Sequence, residues 1–160
     1  MNVQELLNEV TNAQVEKRAI TNPNVLNEAY SYGSAFSRGM RIDLNGLVIL
    51  LISGTASIDD EGRTVHVGDL RAQTRRTYDN ITGLLASEGA TWKDVVRTTC
   101  YLRDIERDYK AFNEERTAFY KEQGLDPLPA STGIQAILCR PDLLVEIEAI
   151  AMFRKVAPQE

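Results

Sequence analysis

Histidine is almost absent from this chain: among 160 residues only His66 occurs. Cysteine is nearly as scarce, with Cys100 and Cys139 alone and no Cys-x-x-Cys pair. A histidine-rich or thiolate metal centre is thereby excluded, and no metal or other cofactor is expected. A Ser-His-Asp triad would need His66, which lies in the turn-rich stretch of residues 59–68. No Gly-x-Ser-x-Gly elbow accompanies it, so His66 reads as a surface turn residue. No glycine-rich phosphate loop is present. There is no Lys/Arg-rich run and the net charge is −5, which argues against nucleic acid as a partner. The longest apolar run, residues 47–52, is far too short to span a membrane. Residues 1–5 lack the basic and apolar regions of a secretory leader. The expected compartment is the cytoplasm, with both cysteines acting as small hydrophobes. Chemistry here must run on carboxylates, hydroxyls, arginine, backbone donors and water.

What is present fits one ordinary domain. The chain is 43% hydrophobic and 26% charged, and 160 residues suffice for a sizeable core. Residues 1–22 read as an N-terminal helical extension, 23–154 as the domain and 155–160 as a polar tail. Val3, Leu6, Leu7 and Val10 have helical spacing, which predicts a short amphipathic helix over 2–18. Asn22-Pro23-Asn24 breaks the chain, and residues 25–41 read as irregular. Residues 47–53 form an apolar strand ending at Gly54-Thr55, and 64–67 return as a short strand after the turn at 59–62. A helix over 69–88 has Asp69 as its N-cap and Gly89 as its stop. Thr91-Trp92-Lys93-Asp94 has the form of a capping box. A Val/Thr-rich strand over 95–103 precedes a second helix over 106–123. Strands over 132–139 and 143–153 are joined by the turn Arg140-Pro141-Asp142.

This order predicts an α+β fold, a mixed sheet with two helices on one face. The opposite face would expose side chains such as Ile150 and Met152, which points to a homo-oligomer. The last strand carries two carboxylates. Side chains alternate along a strand, so Val145, Ile147, Ala149 and Ala151 share one face and Glu146 and Glu148 the other. A carboxylate on a half-apolar face reaches solvent, pairs with a cation, or sits in a polar cavity. Arg38 and Arg140 are candidate anion binders. Gln135 shares a strand face with Ser131 and Gly133.

Ile52-Ser53-Gly54-Thr55-Ala56-Ser57, Gly68-Asp69-Leu70-Arg71-Ala72-Gln73-Thr74, Asn80-Ile81, Asp94-Val95-Val96-Arg97-Thr98-Thr99, Phe112-Asn113-Glu114, Pro129-Ala130-Ser131 and Val145-Glu146-Ile147-Glu148-Ala149 resemble, in order and spacing, the Rid (YjgF/YER057c/UK114) superfamily. The resemblance spans roughly residues 25–153. It implies a chorismate-mutase-like homotrimer with clefts between subunits. It also implies hydrolysis of enamines and imines to ammonia and a keto acid, with Glu146 holding the water or a proton. The backbone of Gly54 and the side chain of Asn113 fall on cleft positions, and Phe36 replaces a family tyrosine. Deaminating members carry an arginine after Pro-Ala that clamps the substrate carboxylate; here that residue is Ser131. Gly133 stands where those members often have cysteine. Serine cannot replace a bidentate guanidinium clamp.

Cys139-Arg140-Pro141-Asp142-Leu143-Leu144, continuing into the Glu146 strand, is also similar to the C-terminal half of chorismatases, which are about twice as long. There the position matching Cys139 helps choose the product, and the one matching Glu146 donates a proton. Aminomuconate deaminases, which act on an enamine dicarboxylate, resemble this chain in size. Three readings therefore stand side by side. The first is an enamine/imine deaminase with Glu146 as acid and base, Gly54, Thr55 or Asn113 orienting substrate or water, and an arginine on a small carboxylate substrate. The second is a chorismatase-like hydrolase. The third is a non-catalytic trimer that binds a small metabolite.

Overall fold

The computed structural model describes residues 2–5 and 15–155. One six-stranded sheet dominates it, in the spatial order β1-β2-β3-β6-β4-β5. The strands are β1 (Val15–Ala19), β2 (Gly39–Leu44), β3 (Leu47–Ala56), β4 (Val95–Leu102), β5 (Ala130–Gln135) and β6 (Val145–Arg154). Only β4 and β5 pair in parallel; the other neighbours are antiparallel. Two helices, α1 (Leu70–Ser87) and α2 (Ile105–Glu122), cover one face. The mixed sheet with helices on one side is as the sequence predicts.

Local chemistry sets the element ends. Asp69 caps α1 by accepting from Ala72 N at 3.0 Å. Gly89, at φ 76°, takes the left-handed turn that stops the helix. Thr91 and Asp94 form the predicted capping box around a single 3₁₀ turn. Asp104 caps α2 through Arg107 N.

Four expectations change, the first being that the strand read over 132–139 is β5 at 130–135 and ends before Cys139. Residues 3–5 are helical and 6–14 lie outside the described residues, but residues 15–19 are strand β1 rather than helix. Ladder pairing with β2 outweighs their helical spacing, and Lys17 and Arg18 suit an exposed edge. Residues 39–44, partly inside the stretch read as irregular, form β2. Asn45 (φ 49°) and Gly46 (φ 79°) join it to β3 in a two-residue hairpin, which needs positive φ at both positions. The return strand over 64–67 is reduced to a single bridge between Ile58 and Thr64.

The core lies between the helices and the sheet. Tyr78, Ile81, Leu84 and Leu85 of α1 pack with Val48, Leu50, Ile52, Ile147, Ala149 and Ala151. Each such aliphatic side chain contributes about 1.5–3 kcal/mol by leaving water. Tyr78 stacks on Phe119 of α2 with ring centroids 4.4 Å apart, and Trp92 meets Tyr78 edge-on at 5.3 Å. On the uncovered face Leu51 and Met152 each remain 40% exposed, and Ile150 is half-buried.

Candidate functional site

β3 and β6 pair regularly until Ile52–Ala149, then resume at Thr55–Ile147. The extra residue makes a β-bulge at Ser53-Gly54, a device that re-aims a strand. Ser53 ties the bulge to the incoming chain: its N–H donates to Arg38 O at 3.1 Å and its hydroxyl to Ser37 O at 2.7 Å. The Glu146 carboxylate then lies directly against the Gly54 backbone. A Cβ at position 54 would overlap Glu146 Oε1, so the close approach requires glycine.

A cleft of about 120 Å³ opens beside this contact. Phe36, Arg38, Gly54, Cys139, Arg140 and Glu146, all predicted site residues, line it together with Ser34 and Leu143. Arg38 is 4% exposed; its Nε donates to Asn27 O at 2.8 Å and its guanidinium lies 5.5 Å from the Phe36 ring centre. Arg140 donates to Gly62 O at 2.7 Å. Cys139 is an exposed free thiol at the rim. Among the described residues no cation or donor pairs with Glu146. Burial pushes its carboxyl above the ordinary value, and the like charge of Glu148 adds to the rise. Tyr101 stands opposite Glu146 across the β4–β6 pair. Its hydroxyl is raised as well, by burial first and then by Glu148.

The loop carrying Cys139 and Arg140 is anchored from below. Gln73 of α1 is fully buried; its amide donates to Asp142 O at 2.9 Å and accepts from Leu144 N at 2.8 Å. Arg103 donates to Leu143 O at 2.6 Å and also to Arg140 O. Both are positioning residues that no spacing in the sequence marks as such.

The remaining predicted residues lie elsewhere. Thr55 is 3% exposed, opposite Ile147 on the helix-covered face, and its hydroxyl donates to Ser53 O at 2.8 Å. The bulge turns it into the core, so it does not orient a ligand in this cleft. Ser131, Gly133 and Gln135 pair with Thr98, Cys100 and Leu102, whose side chains are buried beneath the helices. They are therefore on the opposite face of the sheet from Glu146. Gln135 accepts from Ile105 N at 3.0 Å and so caps α2 instead of lining the cleft. Asn113, on α2, accepts from Arg116. Within one chain the predicted residues thus form two groups, one around Glu146 and one along the β5–α2 edge. A site containing both groups needs a second copy.

A larger hollow of about 320 Å³ lies among β1, β2 and the end of α1. Its buried Glu88 is held by Arg18 and Arg41 at 2.6 and 3.1 Å, a structural ion-pair network. Among the described residues no group of His, Cys, Asp or Glu could hold a metal, and no helix is long and apolar enough to cross a membrane.

Residues 28–153 match the family model described as Endoribonuclease L-PSP. The chain is 36% identical over 103 residues to 3-aminoacrylate deaminase RutC of Acinetobacter baylyi, covering 64% of this chain and 78% of that protein. It is 33% identical over 102 residues to a RutC family protein of Pyrococcus abyssi, covering 64% and 76%. The crystal structure of the Escherichia coli YjgF gene product superimposes with a TM-score of 0.70 at 27% identity, covering 86% of this chain and 99% of that one. The Rid family protein YyfA of Yersinia pestis gives 0.70 at 28%, covering 85% and 98%. With the family model spanning residues 28–153 and the fold shared over 86% of the chain, the protein belongs to the Rid (YjgF/RutC) family.

Proposed function

We propose that this protein is a hydrolytic enamine/imine deaminase working as a homotrimer, with an enamine dicarboxylate of the 2-aminomuconate type as substrate. The observation that carries the reading is the Glu146 carboxyl. It is desolvated, held against Gly54, and shares with Arg38 and Arg140 a cleft that has no histidine. The relative from Acinetobacter baylyi bears the name of a deaminase of 3-aminoacrylate, itself an enamine carboxylate.

Burial shifts Glu146 toward its protonated form, which suits a general acid. Protonated Glu146 gives its proton to the enamine β-carbon, and the nitrogen lone pair forms the C=N bond of the iminium. Water adds to the iminium carbon while the Glu146 carboxylate takes one of its protons. The carbinolamine nitrogen then receives the proton back and leaves as ammonia, and the hydroxyl oxygen becomes the ketone. The hydroxyl proton passes to the Glu146 carboxylate and restores the acid, the β-carbon keeps the first proton, and no redox partner is needed. Backbone groups at the Ser53-Gly54 bulge orient the water or the nitrogen, and the charge of Arg38 and Arg140 favours a carboxylate nearby.

Two features support the trimer. The exposed apolar face around Leu51 and Met152 calls for a partner. The split of the predicted residues between the two sheet faces suits a site shared by adjacent subunits. The test is ammonia release from 2-aminomuconate beside simple 2-imino acids generated in place. Release from the dicarboxylate alone supports the full reading. Release from simple imines supports the deaminase and removes the dicarboxylate. No release from either removes the deaminase.

A further inference from the structure

Arg116 of α2 differs from Arg71, Arg75 and Arg107, the arginines that ion-pair along α2. Arg71, Arg75 and Arg107 are each paired with carboxylates of α2: Arg71 with Glu114 and Glu115, Arg75 with Glu115 and Glu122, and Arg107 with Asp108. Arg116 has no carboxylate partner among the described residues. Its Nη1 donates to Ser131 Oγ at 3.1 Å and its Nη2 to Asn113 Oδ1, both neutral acceptors. The Phe112 ring lies beneath it, 5.3 Å from the guanidinium carbon. The guanidinium is thus held in place while its charge is left uncompensated. Its field reaches the neighbours: burial raises the Cys100 thiol and Tyr120 hydroxyl, and Arg116 opposes both shifts.

The surroundings are open to a ligand. All of β5 is exposed. Two residues on from Ser131, on the same strand face, Gly133 leaves a gap; a Cβ there would meet only the Tyr109 ring, at 3.8 Å. An arginine fork has five N–H donors, so two bonds leave others for a bidentate carboxylate. The Ser131 hydroxyl and the Asn113 carboxamide flank the same spot.

We infer that Arg116 is the carboxylate-binding residue of this protein, reaching from α2 to the position that Ser131 leaves empty of charge. This rests on the deaminase reading for its place in the reaction. In the proposed assembly Arg116 of one subunit complements the Glu146 cleft of the next. A dicarboxylate then has a cation at each end: Arg116 on one side, Arg38 and Arg140 on the other.

The experiment is calorimetric titration with pyruvate, the simplest 2-oxo acid product, and with its neutral amide. It compares wild type, Arg116→Gln, Arg116→Lys and Glu146→Gln. Arg116→Gln is expected to weaken pyruvate about 10- to 100-fold, the loss of a charge-assisted bond, and to leave the amide unchanged. Arg116→Lys, which keeps the charge and loses the fork, falls between and covers the case in which the glutamine variant does not fold. Where turnover is present, Arg116→Lys raises KM more than it lowers kcat. Unchanged pyruvate affinity in Arg116→Gln, equal weakening of acid and amide, or no saturable pyruvate binding by wild type overturns the inference. Arg116-dependent pyruvate binding without ammonia release from any enamine overturns the deaminase and leaves the carboxylate site standing.

Discussion

The Glu146 carboxylate rests on the backbone of Gly54 at the point where the β3–β6 register slips by one residue. The strand slip and the missing side chain act together. The bulge bends the chain toward the carboxylate, and glycine admits it. Gly54→Ala would push the flexible carboxylate away without forcing the backbone to move. The expected outcome is a loss of about 100-fold in kcat/KM, the scale of an ångström-sized misplacement of a catalytic group, with the melting temperature nearly unchanged. Ammonia-release kinetics beside a thermal melt check it.

Glu146→Gln removes the proton donor and acceptor in one step. Turnover should fall by at least about 100-fold, while the assembly keeps its mass. Stability should move the other way. Folding raises this carboxyl above 4.5, so the folded chain holds the proton more tightly than the unfolded chain. Stability therefore falls as pH rises through the window above 4.5 and stays lower beyond it. Glutamine does not titrate. The variant should melt higher than wild type near neutrality, and the gap should close below the ordinary carboxylate range. Melts across pH decide it: a variant that is less stable at every pH contradicts this account.

Gln73 fastens the loop that carries Cys139 and Arg140 through hydrogen bonds made in full burial. Gln73→Ala leaves Asp142 O and Leu144 N without their partner. Each unsatisfied buried group costs about 1–3 kcal/mol. The expected result is a clearly lower melting temperature and faster amide exchange over residues 140–144, with weakened binding of anionic ligands at the Glu146 cleft. Exchange confined to that loop would separate this positioning role from general loss of core packing.

Much of the fold was legible because its signals are local. Asp69, Gly89 and the Thr91–Asp94 box mark element ends by capping chemistry, and the alternation along β6 fixed which face carries Glu146. β2 was not read from the sequence: Met40, Ile42 and Leu44 alternate before Asn45-Gly46, but Gly39, Arg41 and Asp43 between them are weak strand signals. β1 was not legible, since five exposed residues acquire strand geometry only from pairing with β2.

The site divides in the same way. The Glu146 group follows from strand parity and family motifs. Thr55 failed because a bulge inverts parity beyond it, and no local residue pattern fixes a bulge. Gln135 failed because the N-terminus of α2 needs an acceptor, and that demand is tertiary. Arg116 sits among aromatic residues at helical spacing, so its sequence context reads as packing. Only the fold shows it against Ser131 and Asn113.

The open sheet face gives the last prediction. Leu51 and Ile150 face each other across β3 and β6, with Met152 beside them. In a lone chain this strip stays wet, at 40% exposure for Leu51 and Met152. Burying it against other copies gains about 25 cal/mol per Å² of apolar surface, and a charge there would have to be buried unpaired. Leu51→Glu is therefore expected to reduce the proposed trimer to single chains in light scattering after size exclusion. The monomer should keep its far-ultraviolet circular dichroism, because the core lies on the other face. It should also lose turnover, because the Glu146 group and the β5–α2 group then no longer meet. A Leu51→Glu protein that stays trimeric would show that a different surface assembles it, and an active monomer would show that one chain holds the whole site.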